Sequence, residues 1–122
     1  MCGICGIINL ESGLPPDTGI LMCMMGRLRH RGPDSSGYYR DKQVALGHTR
    51  LAIIDLQTGV QPISNEDDSV WITFNGEIFN YLELGSELSN LGHVFKTKSD
   101  TEVIVHAYEQ WGTSCFERFN GQ

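Results

Sequence analysis

A chain of 122 residues, 40% apolar and 20% charged, fits one packed domain and does not have the composition of a disordered segment. Fifteen acidic against nine basic residues leave a net charge of −6, which excludes a broad electrostatic grip on nucleic-acid backbones or anionic lipid. No apolar run reaches the roughly 18 residues of a membrane helix and no basic-then-apolar signal opens the chain, so a soluble, cytoplasmic protein without nucleic-acid or membrane partners is expected.

Residues 2–9 read as a strand that runs into a Gly-Leu-Pro-Pro turn. A helix is predicted over 17–29, with Ile20, Leu21, Met24, Met25 and Leu28 on its core face. A glycine-punctuated turn follows from His30 to Gly37, then short strands over 38–40, 43–48 and 50–54. Val70–Phe74 and Glu77–Phe79 flank Asn75-Gly76 and predict a hairpin. A second helix is predicted over Tyr81–Leu91, with Tyr81, Leu84, Leu88 and Leu91 on one face and Gly92 ending it. Ser99-Asp100-Thr101-Glu102 reads as a capping box opening a third helix, with Val103, Ile104, Ala107, Tyr108 and Trp111 inward and Gly112 closing it. Strands and helices mix without a βαβ rhythm, so the fold class is α+β, helices on largely antiparallel sheet. The last residues, Asn120-Gly121-Gln122, are a turn signal with nothing beyond it, as in a truncated piece of a larger domain.

The four cysteines stand at 2, 5, 23 and 115, and reduced thiols are expected. Cys2 and Cys5 form a C-x-x-C at a place where no strand can precede it, and on a strand their side chains point to opposite faces. Neither the other cysteines nor the four histidines supply paired ligand spacing, so no metal site is expected. His30 and His48 flank motifs without a carboxylate at ligand spacing and read as surface or core residues.

Cys2 admits two readings. It is a small residue opening a strand, or, once Met1 is removed, it is a thiol carrying its own base. A free thiol titrates near 8.5 and an α-amine near 7.7–8.0, so the amine is a poised proton acceptor at neutral pH. Asn75-Gly76 is equally double: a type I′ turn, or a pair of donors facing a developing charge. Asp100 in the first turn of a helix is fully explained by the exposed N–H groups there. Arg50 carries the planar fork that suits a carboxylate, and it would serve equally in a surface ion pair. Arg31-Gly32-Pro33-Asp34 reads as a scaffold turn in which Asp34 bonds nearby amides.

Five blocks occur in order: Met1-Cys2-Gly3-Ile4-Cys5-Gly6-Ile7, Arg31-Gly32-Pro33-Asp34-Ser35-Ser36-Gly37, Gly47 to Leu56, Phe74-Asn75-Gly76-Glu77-Ile78-Phe79-Asn80-Tyr81, and Lys98-Ser99-Asp100-Thr101-Glu102. Together they resemble the N-terminal glutaminase domain of glutamine-hydrolysing asparagine synthetases, a class II glutamine amidotransferase of the N-terminal nucleophile hydrolase fold. The resemblance implies an αββα sandwich, incomplete at the C-terminus, with residues 1–122 forming a single glutaminase domain and the synthetase domain absent. It implies Cys2 as nucleophile and the Asn75 amide with the Gly76 N–H as oxyanion hole. Arg50 would take the α-carboxylate of glutamine, and the main chain of Leu51, Ala52, Ile53 and Ile54 would line the pocket. Asp100, assisted by Glu77, would hold the α-ammonium. A Cys2 γ-glutamyl thioester would form and be hydrolysed, giving glutamate and ammonia for asparagine synthesis in a fuller chain. No cofactor is implied for this domain; ATP and magnesium belong to the synthetase domain, and no Gly-x-x-x-x-Gly-Lys loop stands here to hold a nucleotide. The partners implied are glutamine and the synthetase domain of the same longer chain; an incomplete sheet would leave an edge exposed, which leads to poor stability or to a homodimer. Three other readings stay open: an amidotransferase half with a different ammonia acceptor, a non-catalytic amino-acid-binding domain, and a metal or redox domain using Cys2 and Cys5.

Overall fold

Alternating small and apolar side chains after residue 2 give strand β1, Gly3–Ile8, in which Gly3, Cys5 and Ile7 face inward more than their neighbours. Helix α1, Thr18–Leu28, starts where Asp17 accepts the Ile20 N–H through its carboxylate at 3.1 Å. Strands β2, Ser35–Arg40, and β3, Val44–Arg50, follow. The Asp41 carboxylate makes their connection by accepting the N–H groups of Gln43 and Val44, each at 2.7 Å. The computed structural model describes residues 1–10, 13–52 and 58–122.

Backbone contacts divide the chain into two compact units. The first holds Met1–Ala52, Val60–Pro62 and Thr73–Asn75. Its sheet is antiparallel in the order β1-β3-β2, with Gly3 opposite Thr49 and Ser35 opposite Arg50. Leu21 and Met25 of α1 pack on Ala45 of β3, joined by Cys5 and Ile7. Ile20, expected inward, is exposed, and Met24 and Leu28 are half-buried. Only Leu21 and Met25 of the expected core face are buried, so the helix contact is narrower than a full apolar stripe. The strand expected over 50–54 is absent in its described part, because β3 ends at Arg50 and Leu51–Ala52 are irregular.

The second unit is built mainly from Ile63–Ile72 and Gly76–Gln122. A two-stranded antiparallel ribbon joins β4, Ile63–Ser64, to β5, Trp71–Ile72. Asn65 organises the turn between them, accepting the Val70 N–H on its side chain at 3.1 Å and donating to Ser69 at 3.0 Å. Helices α2, Tyr81–Asn90, and α3, Asp100–Trp111, pack together, and a 3-10 segment, Gly112–Glu117, follows. Leu84 and Leu88 are the buried residues of α2; Leu91, expected inward, is exposed beyond the helix end. Along α3 every residue from Asp100 to Ala107 is buried, whereas Tyr108 is exposed despite its helical spacing.

Two local expectations are corrected. Asn75-Gly76 does not close a hairpin between Val70–Phe74 and Glu77–Phe79, since β5 pairs with β4 and Ile78 bridges Gly121. Glu77 and Gln122 exchange both main-chain hydrogen bonds at 3.0 Å, and Phe79 N–H donates to Asn120 at 2.7 Å. The Asn120-Gly121-Gln122 tail is therefore a paired strand segment. Only glycine fits at 121, where a Cβ would stand 2.3 Å from the Glu77 carbonyl oxygen. The capping box is also half formed: Ser99 accepts the Thr101 N–H at 3.2 Å, but the Glu102 carboxylate turns away from the Ser99 N–H. It accepts instead the N–H groups of Lys96 and Thr97, each at 2.7 Å, and the Thr97 hydroxyl at 2.5 Å.

Candidate functional site

Cys2 precedes β1, and its sulfur meets the first residue beyond β3. The Leu51 N–H donates to Sγ at 3.3 Å, and the thiol donates to the Leu51 carbonyl at 3.6 Å. A donor and an acceptor of one residue thus bracket the sulfur and fix where it points. The Arg31 Nε–H donates to the Cys2 carbonyl at 3.1 Å, anchoring the same residue from the other side. Asp34 accepts the Ala52 N–H at 2.9 Å on its carboxylate, while its own N–H donates to the Arg50 carbonyl at 3.0 Å. Between them Gly32 lies so close to β3 that a Cβ would meet the Thr49 carbonyl oxygen at 2.2 Å. The Arg31–Asp34 turn is thus a strap across the end of β3, holding Cys2, Leu51 and Ala52. Arg31, read in the sequence only as part of a scaffold turn, bonds the Cys2 carbonyl, and Asp34 bonds an amide as expected.

Arg50 is 6% exposed at the end of β3. Two residues earlier, His48 is buried, and burial pushes its imidazole below the ordinary value of 6.5; the nearby Phe74 main chain opposes this and the Arg50 charge adds to it. His48 is therefore a neutral core residue. Cys5 lies in the α1 contact, where burial raises its thiol above the ordinary range. Cys2 and Cys5 are both free, in unlike surroundings: Cys2 lies before β1 beside Leu51, and Cys5 lies within β1 against the α1 contact.

Asn75 ends the first unit half-buried. Gly76 and Glu77 open the last segment of the second, where Gly76 is exposed and Glu77 is held by its main-chain pair with Gln122. Asp100, buried at the start of α3, accepts the Ile78 N–H on Oδ2 at 2.9 Å, which ties it to the Gly76–Glu77 segment. The candidate residues accordingly fall into two local groups: Cys2, Arg50, Leu51, Ala52 and Asn75 in one unit, and Gly76, Glu77 and Asp100 in the other. Ile53 and Ile54 lie outside the described residues. A groove of about 450 Å³ between α1 and the strap, lined by Met22, Arg29, Pro33 and Ser36 among others, contains none of these residues.

A second cluster went unread in the sequence. His30 and His48 stand apart, but His93 and His106 come together with Glu66 and Glu109. His106 was not singled out in the sequence, yet it has Glu102 four residues before it and Glu109 three after it on one helix. That spacing was the available signal; Glu66 and His93 arrive from other segments.

A small thiol at position 2 is thus secured by main-chain groups and a glycine-containing strap. The whole of residues 1–122 matches the profile of the glutamine amidotransferase domain, and the chain belongs to that family. Among curated proteins it is 42% identical to asparagine synthetase [glutamine-hydrolyzing] 1 of Bacillus subtilis over 123 residues, which covers 99% of this chain and 20% of that protein. It is 47% identical to asparagine synthetase [glutamine-hydrolyzing] 2 of the same organism over 114 residues, 92% of this chain and 15% of the relative. It is 42% identical to asparagine synthetase [glutamine-hydrolyzing] 1 of Arabidopsis thaliana over 121 residues, 99% of this chain and 20% of the relative. The chain thus spans about a fifth of the length of the relatives it matches. Among the described residues, no helix is long and apolar enough to cross a membrane.

Proposed function

We propose that this chain hydrolyses the side-chain amide of glutamine and passes the ammonia to a synthetase domain of a longer polypeptide that makes asparagine. One observation carries the reading: in a chain of the glutamine amidotransferase family, the thiol at position 2 is bracketed by the peptide groups of Leu51. The names of the relatives support asparagine as the end product. Residues 1–122 belong to one glutaminase domain, and its complete fold is the αββα sandwich of N-terminal nucleophile hydrolases.

The exposed Met1 is removed, which frees the Cys2 α-amine. The amine takes the thiol proton as Sγ attacks the side-chain amide carbon of glutamine, forming a carbon–sulfur bond and a tetrahedral oxyanion. The Asn75 side-chain amide and the Gly76 N–H donate to that oxyanion, each donor of this type contributing about 10²–10³ in rate. The carbon–nitrogen bond breaks, and the ammonium of Cys2 returns its proton to the departing ammonia. Water then attacks the γ-glutamyl thioester, releasing glutamate and restoring the thiol. Arg50 takes the α-carboxylate, with the main chain of Leu51 to Ile54 lining the pocket. Asp100 and Glu77 take the α-ammonium; the Ile78 N–H holds Asp100 Oδ2 at 2.9 Å and the Ser99 hydroxyl stands 3.5 Å from Oδ1. ATP and magnesium serve the synthetase domain, and no step here runs through them. Four free cysteines suit the reducing cytoplasm.

The test is glutamine turnover by the parent chain and by Cys2→Ala, with glutamate and ammonia measured together. The reading expects equal yields of the two products and a loss on the order of 10³-fold or more in the variant. A Cys2→Ala chain that hydrolyses glutamine at the parent rate overturns it.

A further inference from the structure

We propose that Glu66, His93, His106 and Glu109 form a tetrahedral site for a divalent transition-metal ion of the zinc class. The four come from three segments: Glu66 from the β4–β5 turn, His93 from the connection after α2, and His106 with Glu109 from one face of α3. Their ligand atoms all lie within 4.8 Å of one another. His93 Nδ1 stands 3.4 Å from Glu66 Oε1 and 3.6 Å from Glu109 Oε2. His106 Nδ1 stands 3.3 Å from Glu66 Oε2 and 3.8 Å from Glu109 Oε2. Metal–ligand bonds of about 2.1 Å at tetrahedral angles put neighbouring donors about 3.4 Å apart. The four separations lie near that edge length, those to Glu66 running to its two different oxygens, and the set as a whole, within 4.8 Å, closes to it as the partly exposed glutamates turn in onto an ion.

The outer contacts point both imidazoles the same way. His93 Nε2 lies 3.0 Å from Gln110 Oε1, an acceptor, so the ring proton belongs on Nε2 and the Nδ1 lone pair faces the two carboxylates. His106 Nε2 faces Glu102 Oε1 at 3.5 Å, and its Nδ1 turns into the same space as that of His93. Glu102 is itself fixed by Lys96 and Thr97, giving the carboxylate–histidine support that metal-binding imidazoles ordinarily have. Glu66 is likewise oriented by the Val94 N–H at 2.8 Å.

A second observation independently calls for a ligand. His106 is 0% exposed, packed edge-on against Phe95 with ring centroids 4.5 Å apart. Neither of its ring nitrogens makes a hydrogen bond among the described residues. A buried imidazole whose nitrogens face carboxylates at 3.3 and 3.5 Å without a hydrogen bond is costly unless a cation, a proton or a metal ion, sits between them. Two imidazoles with two carboxylates and no thiolate suit zinc or cobalt, and two glutamates with a third of their side-chain surface exposed leave a way in from solvent. The site does not depend on the glutaminase reading; it would clamp the β4–β5 turn and the α2–α3 connection onto α3.

The test uses the 122-residue chain after chelator treatment, titrated with zinc and separately with cobalt(II). Glu66→Gln and Glu109→Gln are the variants, because both side chains are partly exposed and their loss spares the buried histidine. The proposal expects one saturable ion per chain and a visible cobalt spectrum of tetrahedral nitrogen and oxygen ligation. It also expects Tm to rise by roughly 10 °C at a hundredfold excess over Kd. Each variant should keep its metal-free Tm and weaken binding at least tenfold, about the effect of disturbing one metal contact. No saturable binding, affinity unchanged in both variants, or a sulfur-to-cobalt charge-transfer band placing the ion on the cysteines would overturn it.

Discussion

Replacing Gly32 by alanine probes the strap at its tightest point. The added Cβ would stand 2.2 Å from the Thr49 carbonyl oxygen, 2.4 Å from the Thr49 carbonyl carbon and 2.6 Å from that of Arg50. All three are main-chain atoms of a central strand, so no side chain can swing aside; relief requires roughly 1 Å of backbone movement in a close-packed region. Overpacking of this kind costs about 1–3 kcal/mol, and a collision with backbone belongs at the top of that range. The movement reaches Leu51, one residue beyond Arg50, and pulls its N–H from Cys2 Sγ, which it now meets at 3.3 Å. Gly26→Ala on α1 is the control: nothing lies within 4 Å of its added Cβ, and alanine in an exposed helix position should stabilise by about 0.5–1 kcal/mol. Urea unfolding followed by circular dichroism gives both values, and alkylation of Cys2 relative to the exposed Cys23 reports the displaced thiol. Gly32→Ala within about 0.5 kcal/mol of the parent, with Cys2 alkylated at its parental rate, would refute the strap.

Three further outcomes follow from particular contacts. Arg31→Met removes the donor to the Cys2 carbonyl and should lower kcat for glutamine by about 10–100-fold with KM little changed, since a misplaced nucleophile affects chemistry before binding; equal losses through KM would point to a substrate contact instead. Glu102→Gln sets an amide NH2 where one carboxylate oxygen accepted the Lys96 or Thr97 N–H, and should cost about 2–4 kcal/mol in denaturant unfolding; a loss below about 1 kcal/mol would mean the loop amides are satisfied elsewhere. His48 is held below its ordinary 6.5, so the unfolded chain binds the proton more readily. Its contribution to stability is then present above that value and is lost as pH falls below 6.5 toward the depressed folded value. Unfolding measured at about pH 7.5 and about pH 5.5 should show a smaller difference for His48→Gln than for the parent, and identical differences would contradict the assignment.

Local signals in the sequence were reliable where local chemistry decides. Ser99 does cap its helix, Asp17, read as the first residue of α1, caps it instead, and Gly92 with φ of 107° ends the turn after α2. Periodicity located Leu21, Met25, Leu84, Leu88, Val103 and Ala107 in the core but overreached at Ile20 and Tyr108, because spacing cannot tell how wide a face its partner covers. Asn75-Gly76 misled for a related reason. Its turn propensity is local, whereas the partner that Ile78 takes, Gly121, is 43 residues away by numbering. The Arg31–Asp34 turn was legible from glycine and proline, whereas Cys2 by position alone reads as a small residue opening a strand and stands out only through the blocks that accompany it. Arg31 as the anchor of the Cys2 carbonyl was not legible, since nothing in the motif says which donor the strap would use. The pairing of Glu66 and His93 with His106 was illegible altogether, because three separate segments meet there.

The most direct measurement is intact mass with peptide mapping after exposure to an electrophilic glutamine analogue, with glutamine as competitor. The account predicts a single adduct on Cys2, on a chain that has lost Met1, and suppressed by glutamine. Met1 retained, or label spread over Cys2, Cys5, Cys23 and Cys115 and indifferent to glutamine, would contradict it.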